Sequence, residues 1–193
     1  MKKLFILTLF AISAIAAQTK WALDRSHSNI SFTVTHMMIS DVTGVFKQFD
    51  AQVETSKEDF SDAKIYVTIH AKSIDTGNER RDAHLRSADF FNADVDSIIT
   101  FKSKKFEKVS GNKYKLVGDL TMRGVTKEVT LDAEYKGKIK GFRGFIAAFK
   151  ASTTINRKDW GLTWNRAIEA GGWVVGEEVT INIAVELNQQ NNS

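Results

Sequence analysis

The chain has 193 residues, 42% of them hydrophobic and 26% charged, with no cysteine and no proline. That balance describes one globular domain with enough chain for a core, and it excludes disorder, collagen and a disulfide scaffold. Without cysteine there is no thiol nucleophile, CxxC redox centre or cysteine-held zinc, and a net charge of only +4 argues against a nucleic-acid binder.

Lys2 and Lys3 precede an apolar run from Leu4 to Ile15, and Ala14-Ile15-Ala16 supplies small residues of the cleavage-site type. Residues 1–16 therefore read as a secretory signal peptide, since the run is shorter than the about 20 apolar residues of a spanning helix. Its removal takes away two lysines and no acid, which lowers the net charge from +4 to +2. Residues 17–188 then form the domain and 189–193 a polar tail. Asp24, Ser26 and His27 read as a capped turn, because sequence neighbours rarely hold triad geometry.

Ile30, Phe32 and Val34 alternate with Ser31, Thr33 and Thr35, the pattern of a strand with one oily face. A short helix is expected from Met37 to Asp41. Val45, Phe49, Ala51 and Val53 give a weaker strand signal, and Ala63, Ile65, Val67, Ile69 and Ala71 a stronger one. A second short helix is expected from Asn78 to Ser87. Ile99 and Phe101 open another strand, where Lys102, Lys104, Lys105 and Lys108 read as a solvated face. The turn signals Ser110-Gly111-Asn112 and Arg123-Gly124 separate three oily sets: one through Phe101, one from Tyr114 to Met122 and one from Val125 to Tyr135. Phe145 to Ile155 and Val179 to Leu187 complete about eight strands. Strands this one-sided, with almost no amphipathic helix, leave a two-sheet sandwich or a closed barrel. Periodicity does not separate the two.

Several runs then resemble the YceI-like, polyisoprenoid-binding family. They are Ser28-Asn29-Ile30-Ser31-Phe32-Thr33-Val34-Thr35-His36-Met37 with Ser40, Val42, Gly44 and Phe46; Arg81 to Phe91; Gly118-Asp119-Leu120-Thr121 through Thr126; and Asn156-Arg157-Lys158-Asp159-Trp160-Gly161-Leu162-Thr163-Trp164-Asn165. One departure is Asp96-Ser97, where that family commonly has Tyr-Pro. The resemblance implies an all-β fold, an eight-stranded antiparallel lipocalin-like barrel with one or two short helices. It also implies export to the periplasm, an isoprenoid or fatty-amphiphile ligand in the interior, and a homodimer as an accessible state.

On this reading the apolar tail lies against Phe32, Val34, Val67, Ile69, Phe101, Leu120, Met122, Leu131, Phe149 and Ile183. The mouth that receives the head group is built from His36, Arg81, Asp82, His84, Phe90, Trp160 and Trp164. Arginine forks and imidazoles suit a polar head, while the two tryptophans either wall the entrance or plug the barrel end. An interior filled by its own side chains stays open as an alternative. The chain carries no G-x-S-x-G, HExxH, P-loop or G-x-G-x-x-G motif, and no histidine pair has metal-ligand spacing on one element. The expected role is non-catalytic binding, transport or storage of a lipid, with transient membrane contact and without cofactor, metal or nucleic acid. The alternative is an enzyme or electron-transfer accessory acting on a bound quinone-like lipid.

Overall fold

The computed structural model describes residues 18–190 apart from Arg143 and Ala170. The expected signal peptide at 1–16 lies outside the described residues. Among them are eleven strands and one α-helix: β1 (Thr19–Leu23), β2 (Asn29–His36), β3 (Ser40–Phe46), β4 (Phe49–Thr55), β5 (Lys64–His70), β6 (Ile74–Asp75), α1 (Glu79–Arg86), β7 (Ile98–Ser110), β8 (Lys113–Met122), β9 (Val125–Gly141), β10 (Gly144–Asn156) and β11 (Val175–Gln189).

Three pairs of short strands act as single bent staves. β1 and β2 lie end to end along β11, with Trp21 opposite Gln189 and His36 opposite Val175. β3 and β4 follow along β2 and β1, and β5 and β6 along β4 and β3. The chain thus makes eight antiparallel staves that follow one another around a closed ring, and the pairing of β1 with β11 seals it. Closure settles the choice that periodicity left open, in favour of the barrel.

The bends have local causes. Between β1 and β2, Asp24 accepts from the Ser26 backbone N–H at 2.9 Å and its hydroxyl at 2.8 Å, which is the capped turn expected there. The second bend, at Lys47 and Gln48, is matched by a 3-10 turn at Ala71–Ser73, and the two exchange backbone bonds from Lys47 to Ser73 and from His70 to Gln48.

The helix expected from Met37 to Asp41 is instead a tight turn. Met37 and Met38 take left-handed φ of 50° and 64°, and β3 is already paired from Ser40, opposite His36. The three residues left between the two strands, Met37 to Ile39, cannot meet the cost of helix nucleation. The Asn78–Ser87 expectation stands: α1 spans Glu79–Arg86, with the Asn78 side chain capping the Arg81 N–H. The expected polar tail begins later than residue 189, because Gln189 pairs with Trp21 and the Gln190 N–H donates to the Lys20 carbonyl.

A buried aromatic side chain sits at each end of the barrel. At the end where β9 and β10 turn, Phe60 from the β4–β5 loop is 1% exposed and packs 5.0 Å from Trp21 and 5.1 Å from Phe149 between ring centroids. At the end that carries α1, Trp160 is 2% exposed and its indole N–H donates to the Leu120 carbonyl at 3.1 Å. Arg123 ties the two capping segments there, donating to the carbonyls of Phe90 at 2.9 Å and Gly161 at 3.0 Å.

Candidate functional site

Between the plugs lies an internal cavity of about 240 Å³ whose accessible wall is apolar. All ten side chains expected to face a tail, from Phe32 to Ile183, line it. The wall follows from period-two alternation on a closed ring, where every oily face points to the axis. Not every small inward residue creates room. A Cβ at Gly118 would meet the Phe101 ring and the Lys102 carbonyl at 2.6 Å, so that space is already taken. The room is shared around the ring: Val34 on β2, Val67 and Ile69 on β5, Ala151 on β10 and Val179, Ile181 and Ile183 on β11 all line the cavity and are only half-buried.

The residues expected at a mouth separate into three groups. Arg81 and Asp82 turn to Thr76: Asp82 is buried and accepts from the Thr76 N–H at 2.9 Å and its hydroxyl at 2.5 Å. Arg81 donates through Nε to the Thr76 hydroxyl at 2.7 Å and through Nη2 to its carbonyl at 2.9 Å. These two groups therefore fasten α1 to Thr76, the residue that follows β6. His84, Phe90 and Trp164 do come together, as an edge-on cluster with His84 4.7 Å from Trp164 and 5.1 Å from Phe90, while His84 Nε2 meets Asp89 at 3.0 Å. Only Phe90 of the seven lines the cavity. His36 stands half-buried at the end of β2, apart from that cluster, and buried Trp160 plugs the barrel end.

Two features went unseen in the sequence. Arg157 is 4% exposed and lines the cavity at the α1 end. Its Nε donates to the Gly176 carbonyl at 2.8 Å, Nη2 to Val175 at 3.3 Å, and Nη1 to Leu162. Those first two carbonyls are free because β11 bulges there, with three residues, Gly176 to Glu178, opposite Thr35 alone. Burial pulls the Arg157 pKa down, opposed by the charge of Glu177. The period-two count through Ala151, Thr153 and Ile155 points residue 157 inward, and that was the available signal. The second feature is Glu186, which the fold brings to Asp24 and His27, so that ligand atoms of all three lie within 4.8 Å. The hydrogen bond to Asp24, with that carboxylate's charge, raises the His27 pKa. This group sits at the β1–β2 corner.

A family model described as a YceI-like domain matches residues 21–187. The chain belongs to the YceI-like family. A UPF0312 protein of Staphylococcus epidermidis is 41% identical over 175 residues, covering 90% of this chain and 99% of that one. A Staphylococcus aureus UPF0312 protein is 40% identical over 172 residues, covering 88% and 98%. Among solved structures, the Campylobacter jejuni YCEI protein superposes with a TM-score of 0.70 at 34% identity, over 82% of this chain and 90% of the other. A polyisoprenoid binding domain from Saccharophagus degradans, implicated in plant cell wall breakdown, shares the fold with a TM-score of 0.63 at 14% identity, over 88% and 98%. The eight-stave ring is thus the fold that this chain shares with the YceI-like proteins.

Proposed function

We propose that this YceI-like barrel binds and carries an amphiphile with an isoprenoid or similar hydrocarbon tail, without covalent chemistry, in the periplasm to which the Lys2–Ala16 pattern would direct it. The observation that carries the reading is the apolar cavity of about 240 Å³ running between two plugged ends. An unfilled apolar space in a barrel this narrow forgoes packing contacts that a closed core would make. A hydrocarbon chain restores them.

Carriage also needs a place of exchange. At the α1 end, Met38, Ile39 and Trp173 are 65%, 89% and 54% exposed. The Met37 N–H bonds the Val174 carbonyl at 2.9 Å, so these side chains form one oily rim beside the cavity end lined by Arg157. That rim is the surface proposed to meet a bilayer. Mass spectrometry of organic extracts from natively purified protein tests the reading: a stoichiometric lipid with a hydrocarbon tail is expected, and protein that neither retains nor takes up any prenyl or acyl chain would overturn it. Altered products after incubation with a quinone would favour an enzyme instead.

A further inference from the structure

β9 and β10 run on past the strands that flank them. β8 meets β9 only as far as Glu134, opposite Lys113, and the Asn112 carbonyl accepts the Tyr135 N–H at 2.8 Å. From Gly137 to Gly141, β9 pairs with β10 alone. Lys138 bonds Glu58 of the β4–β5 loop, and the residues beyond it make the tip of the hairpin. That tip is oily in several directions. Gly141 pairs with Gly144, which leaves Phe142 in the turn, fully exposed. Turn chemistry there asks for glycine, asparagine or aspartate, not phenylalanine. Ile139 lies opposite Ile146 and Phe145 opposite Lys140, so the exposed Ile139 and Phe145 point to opposite faces of the ribbon.

Positive charge stands beside these groups. The sequence has no acid between Glu134 and Asp159, and the hairpin carries Lys136, Lys138, Lys140 and Arg143. Lys136 and Lys138 meet the carboxylates of Glu134 and Glu58, while Lys140 has no ion-pair partner among the described residues. Lysines on a free strand edge keep one chain from pairing with another, but that duty does not explain an aromatic side chain bared at the tip. We infer that the β9–β10 hairpin anchors the protein to an anionic lipid bilayer. Phe142 enters the boundary of the acyl chains with Ile139 and Phe145 beside it, while the lysines extend their ammonium groups to the phosphate head groups. A fluid bilayer surrounds a ribbon that is apolar on both faces, whereas a folded partner covers one. The anchor lies at the opposite end of the barrel from the rim of Met38, Ile39 and Trp173, so it leaves that rim free and does not depend on what fills the cavity.

Flotation at low salt with vesicles of phosphatidylglycerol and phosphatidylcholine in equal parts tests the anchor. Binding should be about tenfold or more stronger than to pure phosphatidylcholine. Lys140→Gln should weaken it about fivefold, the effect of one basic residue at an anionic surface, and Phe142→Ser about tenfold. Neither change should lower the melting temperature, since both side chains are exposed. The chain has no cysteine, so Phe142→Cys accepts a single environment-sensitive dye, whose emission should shift to the blue on the anionic vesicles. Equal binding to both kinds of vesicle, or to neither, would overturn the anchor. So would a dye that still reports water while the protein floats. Loss through Lys140→Gln with none through Phe142→Ser would mean attraction to charge alone, as to an acidic protein segment, and would overturn it too. Lipid transfer to acceptors of pure phosphatidylcholine reads the exchange rim separately, and Phe142→Ser should leave it unchanged.

Discussion

Ala151→Leu tests whether the interior is hollow. Ala151 sits on β10 in register between Ile183 of β11 and Ala133 of β9, and its methyl group faces the cavity. Leucine adds three carbons. If they enter empty apolar space, each contributes about 0.8 kcal/mol, so the delipidated protein gains up to about 2.4 kcal/mol. At about 2–4 °C per kcal/mol for a domain of this size, the melting temperature rises by up to about 5–10 °C. If the space were already packed, the same carbons would force strain of about 1–3 kcal/mol and lower it. The sign alone therefore decides. Thermal unfolding must follow removal of bound lipid, because a ligand at a hundred times its Kd adds about 2.7 kcal/mol to apparent stability and masks the gain. The same variant should bind tails more weakly, since it consumes part of the about 240 Å³. A lowered melting temperature with unchanged ligand affinity would refute the hollow barrel.

The β4–β5 loop gives a pH prediction. Burial pulls the Asp62 carboxyl upward, but the hydroxyls of Ser56 and Thr55 and the backbone N–H groups of Ser56 and Lys57 outweigh it and hold its pKa far below the ordinary 3.8. A lowered folded-state pKa means that the stabilisation is present above about pH 3.8 and is lost as pH falls through the folded value. Asp62→Asn should thus melt below wild type at pH 7, with the gap shrinking below pH 4; a gap independent of pH would refute the carboxylate's role. For exchange, Ile39→Ser should slow lipid transfer to acceptor vesicles. Phe142→Ser, at the opposite end and fully exposed, should leave the rate unchanged. The reverse pair of results would move the exchange face to the β9–β10 hairpin.

Most of the wall was readable because strand periodicity is local: Phe32 and Val34, or Phe149 and Ala151, declare their face within a few residues. Closure was not readable, since the pair that seals the ring joins Trp21 to Gln189 and no local signal specifies so distant a partner. The Met37–Asp41 segment misled because its Met-Met-Ile run looks like a helix face, whereas its flanking threonine-rich strands demand a turn. Arg81 and Asp82 carried head-group chemistry by type, yet the brevity of α1 leaves them to satisfy Thr76. Arg157 was overlooked because an arginine is usually exposed, although its parity placed it inside. Phe60 was hidden differently, as a lone aromatic in the polar run from Ser56 to Asp62.

Tail length should be measured by the barrel itself. A cavity of about 240 Å³ lies just under the range of about 300–1,000 Å³ of small-molecule pockets, so the closed barrel holds a short tail, or one segment of a long one. From water, each CH₂ that enters contributes about 0.8 kcal/mol, close to fourfold in affinity. That gain must stop when the next carbons meet a plug. The plug opposite Arg157 is Phe60, anchored through its loop by Asp62 and by the Tyr114 hydroxyl, which donates to the Asp59 carbonyl at 2.7 Å. Displacing a buried phenyl ring costs on the order of 3–5 kcal/mol, more than several methylenes return. A series of prenols of increasing length should therefore show affinity climbing and then levelling, and Phe60→Ala should move the break to longer tails while lowering the stability of the lipid-free protein by about that amount. A break that stays in place when the ring is removed would mean that the tail does not end at Phe60.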